Sequence, residues 1–208
     1  MSPRAGDGFE REIKIPVADL GAVRRRLRRI GAELAQRESL ERNRVFDRAA
    51  GGESLLAGGR LLRLREDGSG ARLTYKGPAR FAQGVKIREE RELAIDDAEI
   101  AVALLSGLGF EVARRYEKRR ETWTLAAEPG ASLVTLDRTP IGDFVEVEVA
   151  GEAGSAVRLA LRLGLDPATA EPRSYLALYD DWRGRHPGAP RDMVFPVAPD
   201  PGPNRCGG

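Results

Sequence analysis

The feature that most limits what this chain can fold into is a period of two with charge on one side. In FEREIK, residues 9–14, the polar residues Glu10, Glu12 and Lys14 alternate with Phe9 and Ile13, Ile15 continues the apolar set, and only Arg11 breaks it. A strand sends successive side chains to opposite faces, so this segment carries two carboxylates and an ammonium on one face. The pattern returns along the chain. Arg63 and Arg65 oppose Leu62 and Leu64; Arg72, Thr74 and Lys76 oppose Leu73 and Tyr75. Lys86, Arg88, Glu90 and Glu92 oppose Val85, Ile87 and Leu93, with Glu89 and Arg91 interrupting. Lys118 and Arg120 oppose Trp123 and Leu125, Asp137 opposes Val134 and Leu136, and Glu146 and Glu148 oppose Val145, Val147 and Val149. One such strand is the ordinary half-buried strand of an antiparallel sheet, with its polar face in water. Seven of them, with ionisable groups in place of Ser, Thr or Asn, favour a barrel whose lumen is charged and whose apolar exterior is covered.

The charges also segregate by sign. Glu10/Glu12 and Glu146/Glu148 are acidic pairs, whereas Arg63/Arg65 and Lys118/Arg120 are basic pairs. Enclosed ions are costly unless compensated. Hard divalent cations neutralise carboxylates through oxygen ligation, and phosphate oxygens neutralise guanidinium groups through bidentate hydrogen bonds. A polyphosphate–metal complex brings both. The 208 residues hold 34 basic against 32 acidic side chains, a near balance that disfavours general nucleic-acid binding. A single cysteine, Cys206, excludes a disulfide framework, and a single histidine, His186, excludes a multi-histidine metal site. No apolar leader or 18-residue apolar run is present, so a cytoplasmic protein without a membrane span is expected.

Apolar spacings of three and four predict amphipathic helices at 17–34, 97–108 and 155–163, with a short fourth at 174–183. Asp19 and Ser155 are candidate caps. The first three helices end in IGA, LGF and LGL, where a glycine suits a left-handed terminus. The five arginines between 24 and 29 read as the solvated face of the first helix. Strands are expected at 8–16, 40–48, 60–66, 71–77, 84–95, 115–125, 132–138 and 143–150, a number compatible with a small closed barrel. The fold class is therefore α+β, and residues 1–183 form one domain. Residues 184–208 are dense in Pro and Gly and are expected to be disordered or draped over the surface, with Met193, Val194 and Phe195 as an apolar plug. Trp123 and Trp182 are expected to pack rather than to stack on a base.

EREIK resembles the E-x-E-x-K signature that opens CYTH proteins, the triphosphate tunnel metalloenzymes. This superfamily includes class IV adenylyl cyclases, thiamine triphosphatases and inorganic triphosphatases. The resemblance continues in order through ERNRVFD, LLRLRED, LTYKGP, KIREEREL, YEKRRETW, LDRTPIGDFVEVEV and SYLALY, over residues 9–179, and looks most like the class IV cyclase branch. It implies an eight-stranded antiparallel tunnel that binds a triphosphate (ATP, inorganic triphosphate or thiamine triphosphate) with Mg²⁺ or Mn²⁺. By the same resemblance Glu10, Glu12, Glu90, Asp137, Glu146 and Glu148 look like metal carboxylates. Lys14, Arg63, Arg65, Lys76, Arg88, Lys118 and Arg120 look like triphosphate-binding residues, with Lys14, Lys76 and Arg120 closest to the chemistry. A one-residue slip in REERE would reverse the faces of 86–92. The roles of Asn43 and Asp47, near the tunnel mouth in similar proteins, stay open, and a homodimer is implied only by analogy. Three functions remain: a cyclase, a triphosphate hydrolase, and a non-catalytic polyphosphate-binding module.

Overall fold

The alternating segments pair into one antiparallel sheet of nine strands: β1 (Phe9–Val17), β2 (Glu33–Arg48), β3 (Leu61–Asp67), β4 (Gly70–Lys76), β5 (Arg80–Ala82), β6 (Val85–Ile95), β7 (Phe110–Ala127), β8 (Gly130–Thr139) and β9 (Gly142–Val149). The computed structural model describes residues 8–50, 52–127 and 130–196. Neighbours run β1-β9-β8-β7-β2-β3-β4-β6, and β6 returns to pair with β1, so eight strands close into a barrel. The three-residue β5 hangs on β6 as an added hairpin. Closure leaves no long unpaired edge.

Register then decides which face looks inward. Glu12 lies opposite Glu148, Lys14 opposite Glu146, Lys76 opposite Glu90 and Glu41 opposite Lys118, so the charged faces share the lumen. The apolar faces point outward and need cover, because exposed apolar surface on that scale is unfavourable in water. Helices α1 (Leu20–Arg29) and α3 (Ala153–Arg162) supply it on one side. There Leu20, Val23, Leu27 and Leu159 pack on Ile13, Ile15, Trp123, Val134, Leu136, Val145 and Val147. Helix α2 (Ala98–Gly107) covers Phe46 and Leu64 with Ala101 and Leu105. Helix α4 (Tyr175–Gly184) lies at one end, where Tyr175 and Tyr179 meet Val45, Tyr116, Phe144 and Met193.

Gly31, Gly109 and Gly164, which follow the first three helices, have φ of +80°, +80° and +67°, the left-handed conformation that the three tripeptides suggested. Asp97 caps α2 by accepting from the amides of Glu99 and Ile100 at 2.9 and 3.0 Å. Other boundaries move. Helix α1 is shorter than 17–34, and α3 begins before Ser155, with Glu152 at its cap position. Strand β2 starts seven residues before its expected 40, because 33–39 is mostly exposed and shows no alternation to read. Met193 is fully buried; its amide donates to the carbonyl of Arg115 (3.2 Å), and its carbonyl accepts from the amide of Glu117 (2.7 Å). That part of the Pro/Gly-rich tail adds a short parallel bridge beside β7. Residues 197–208 of the tail lie outside the described residues. No helix among the described residues is long and apolar enough to cross a membrane.

Candidate functional site

The lumen encloses a cavity of about 540 Å³, within the size range of small-molecule sites. Its acidic wall comes from β1, β6 and β9, and its basic wall from β3 and β7 across the barrel. Lys86, Arg88, Glu90 and Glu92 all line the cavity, so β6 takes the register in which its even-numbered residues face inward.

Within the basic wall, Arg63 is buried. Its Nη1 donates to Tyr116 Oη (3.1 Å) and its Nη2 to Thr74 Oγ1 (3.4 Å). The Nε groups of Arg63 and Arg65 are buried without a hydrogen-bond partner among the described residues. Arg65 meets carboxylates only loosely, Glu41 at 3.5 Å, Asp67 at 3.6 Å and Glu92 at 3.8 Å. Buried donors left open are costly and are expected to find an acceptor. Glu41 stands among Lys118, Arg120, Arg65 and Arg63; burial alone would raise its carboxyl, but these four cations outweigh it and hold it at about 2. Glu41 carries no mark in the sequence, because Arg42 and Arg44 put charge on the other face of β2 and erase the alternation.

Asp137, expected among the metal carboxylates, lies off the cavity wall and is fully buried. Its oxygens accept from Lys118 Nζ (3.0 Å), Arg120 Nε (2.6 Å) and Nη2 (2.5 Å), and Tyr175 Oη (2.8 Å). A carboxylate with its acceptor positions so filled anchors the basic wall. Arg120 also binds Glu146. Burial opposes ionisation of Glu146, yet Arg120, Lys118, Lys14 and Lys86 hold its carboxyl well below the usual range. Lys14 donates to the carbonyl of Arg173 and sits 4.5 Å from the Tyr175 ring centroid. Burial lowers its ammonium pKa despite Glu146 and Glu12.

On the acidic wall, Lys76 Nζ donates to both oxygens of Glu10 at 2.7 Å and lies 3.3 Å from Glu90, while Lys86 engages Glu12. Burial would lower the Lys76 pKa, but Glu10, Glu90 and Glu12 hold it raised. Glu148 has no hydrogen bond or ion pair with any described residue. Burial first, then Glu10, Glu90 and Glu12 against the opposing pull of Lys76, push its carboxyl up to about 8. Among the described residues no three carboxylates converge as a ready-made metal cluster. The donor chemistry nevertheless fits a hard divalent cation: carboxylate oxygens that repel one another, with one open to the cavity. Arg88 is turned to the carbonyl of Gly77 at 3.0 Å, and burial lowers its pKa.

Asn43 and Asp47 engage the chain's own groups. Asn43 Nδ2 donates to the carbonyl of Tyr116 (3.4 Å), and Asp47 accepts from Ser54 Oγ and the amide of Leu55, both at 2.6 Å. Trp123 packs under α1, and Trp182 stacks between Tyr179 and His186.

The family model described as the CYTH domain matches residues 8–175. The chain belongs to the CYTH family. Its closed eight-stranded antiparallel barrel is the triphosphate tunnel fold of that family. CYTH proteins are generally enzymes, bind triphosphate substrates and are generally metal-dependent. No curated protein matches the sequence. Among solved structures, a provisionally named adenylate cyclase from Vibrio parahaemolyticus is 24% identical with a TM-score of 0.71, the match covering 83% of this chain and 98% of that one. A protein of Pyrococcus furiosus is 26% identical, TM-score 0.61, covering 81% and 99%. A provisionally named adenylyl cyclase from Hippeastrum, with a dominant triphosphatase activity, is 19% identical, TM-score 0.61, covering 83% and 96%.

Proposed function

We propose that this CYTH protein is a divalent-metal-dependent enzyme that binds a triphosphate in its barrel and cyclises ATP to cyclic AMP and pyrophosphate. The supporting observation is a matched pair of unmet demands across one cavity. Among the described residues, Arg63 and Arg65 hold buried N–H groups without acceptors, and Glu148 presents a carboxyl group without a cationic partner. Glu10, Glu12, Glu90 and Glu148 would hold Mg²⁺ or Mn²⁺, with Glu146 beside them. The cation, when bound, supplies charge stabilisation at the phosphate oxygens.

The chain's own groups do the rest. Arg63, Arg65, Lys118 and Arg120 grip phosphate oxygens and offset the negative charge that builds on the departing pyrophosphate. Asp137 and Glu41 keep those cations in place. Lys76 orders Glu10 and Glu90. Lys14, whose Nζ holds its proton less tightly than an exposed lysine, is the group best suited to pass a proton to a leaving oxygen. The nucleophile is the ribose 3′-hydroxyl, whose oxygen bonds to the α-phosphorus as the bond from that phosphorus to the β-phosphate oxygen breaks; the hydroxyl proton passes to water and pyrophosphate leaves.

Hydrolysis is the second reading, favoured by the triphosphatase activity of the similar Hippeastrum protein. Water would then attack the terminal phosphorus within the same basic wall. The test is a product assay with ATP, inorganic triphosphate and thiamine triphosphate, each with Mg²⁺ or Mn²⁺. Cyclic AMP with pyrophosphate from ATP supports the cyclase, and orthophosphate without cyclic AMP supports the hydrolase. No product from any of them leaves a triphosphate-binding module and overturns the enzymatic reading.

A further inference from the structure

One stretch of the cavity wall carries no charge. It is built by Gln36 on β2, Thr122 and Thr124 on β7, and Leu133 and Thr135 on β8. These residues adjoin in register: Gln36 with Thr122, Thr122 with Thr135, and Thr124 with Leu133. The wall also has a definite place along the barrel. The cavity-facing residues of β7 run Tyr116, Lys118, Arg120, Thr122, Thr124, and Tyr175 of α4 packs at the Tyr116 end. At the usual rise per residue Thr124 lies about 27 Å beyond Tyr116. Past the basic grip, the side of the lumen built by β2, β7 and β8 is thus uncharged, while Asp67 of β3, Arg72 of β4 and Glu92 of β6 line the cavity from the other strands. This neutral stretch adjoins the carboxylates, because Thr135 pairs with Glu146 and Leu133 with Glu148.

Holding phosphate requires none of these groups. The Thr135 hydroxyl is nevertheless buried and without a hydrogen-bond partner among the described residues, which a ligand group would satisfy. Gln36 Nε2 donates to Ser39 Oγ at 3.0 Å, which leaves its amide oxygen as an acceptor. Hydroxyls that both donate and accept, an amide oxygen and a leucine suit a neutral ring system bearing polar edges. We propose that this wall is the subsite for the uncharged, nucleoside end of an organic triphosphate, so that Gln36, Thr122 and Thr135 determine specificity. The proposal rests on the triphosphate reading of the lumen. Inorganic triphosphate would fill the basic grip and leave the wall unused.

The test is calorimetric titration of ATP and of inorganic triphosphate, with Ca²⁺ replacing Mg²⁺ to hold back turnover. Wild type is compared with Gln36→Leu, Thr122→Val and Thr122→Ser. Gln36 and Thr122 are both only half-buried, and Thr122→Val removes the hydroxyl while keeping the β-branched shape; melting curves verify that each variant is folded. Wild type is expected to bind ATP more tightly than inorganic triphosphate. Gln36→Leu and Thr122→Val should each weaken ATP by about fivefold, the scale of one hydrogen bond. Inorganic triphosphate should stay within about twofold of its wild-type affinity, and Thr122→Ser should restore ATP binding. Equal losses for both ligands, or no loss for ATP, overturn the subsite. Wild-type binding of inorganic triphosphate without ATP also overturns it while leaving the triphosphate reading intact. Binding of neither removes both.

Discussion

Glu41 and Glu148 share one lumen and are pushed in opposite directions by their neighbours. Glu41 is held at about 2, below its ordinary 4.5, so it favours the folded state above pH 4.5 and loses that contribution as the pH falls toward 2. The gap corresponds to about 3 kcal/mol. Glu41→Gln should therefore be less stable than wild type by up to about 3 kcal/mol at neutral pH, with the difference vanishing near pH 2; urea denaturation across that range measures it. Glu148 has the reverse sign. Its folded-state pKa is raised from 4.5 to about 8, so the metal-free protein loses stability as the pH rises through that window. Glu148→Gln should be the more stable protein at pH 9 without metal, should lose its advantage near pH 4, and should gain less stability from added Mg²⁺ than wild type does. Thermal melts with and without Mg²⁺ decide this. Glu148 was legible in the sequence because FVEVEV alternates without interruption, whereas Glu41 was masked by the outward Arg42 and Arg44 that follow it.

Strands proved readable where one face was apolar and the other charged, and hard to read where both faces were polar. The early part of β2 is of the second kind, and β5 is too short to show a period. Helix ends were readable because left-handed glycines mark them, but the extent of α1 was overestimated at both ends. The docking of Met193 depends on a pocket assembled from β2, β7, β9 and α4, which no local pattern encodes. That segment offers an element-scale prediction. Met193→Ala removes a fully buried side chain and should destabilise the protein by about 2–5 kcal/mol, read by chemical denaturation. A loss under about 0.5 kcal/mol, typical of surface positions, would mean that the segment contributes little to the packed end.

At the scale of the whole molecule, the chain is a barrel turned inside out, with helices covering an apolar exterior and ions facing inward. Such a lumen is unfavourable by itself, since each buried charge must recover its lost hydration from partners. Internal pairs recover part of it, as at Lys76–Glu10 and Arg120–Asp137. The remaining demands among the described residues, the open guanidinium donors and the Glu148 carboxyl group without a cationic partner, are what a triphosphate and a divalent cation would meet. The sign pattern of the strands made this arrangement visible before any coordinates, but which ions pair with each other depends on register across the closed barrel. The central claim is that Arg65 faces a bound triphosphate, and titrating inorganic triphosphate into wild type and Arg65→Ala with Mg²⁺ tests it most directly. The account predicts binding by wild type and a loss of about 1.5–3 kcal/mol in the variant, roughly ten- to a hundredfold in Kd. Wild-type affinity in a folded Arg65→Ala protein would contradict it.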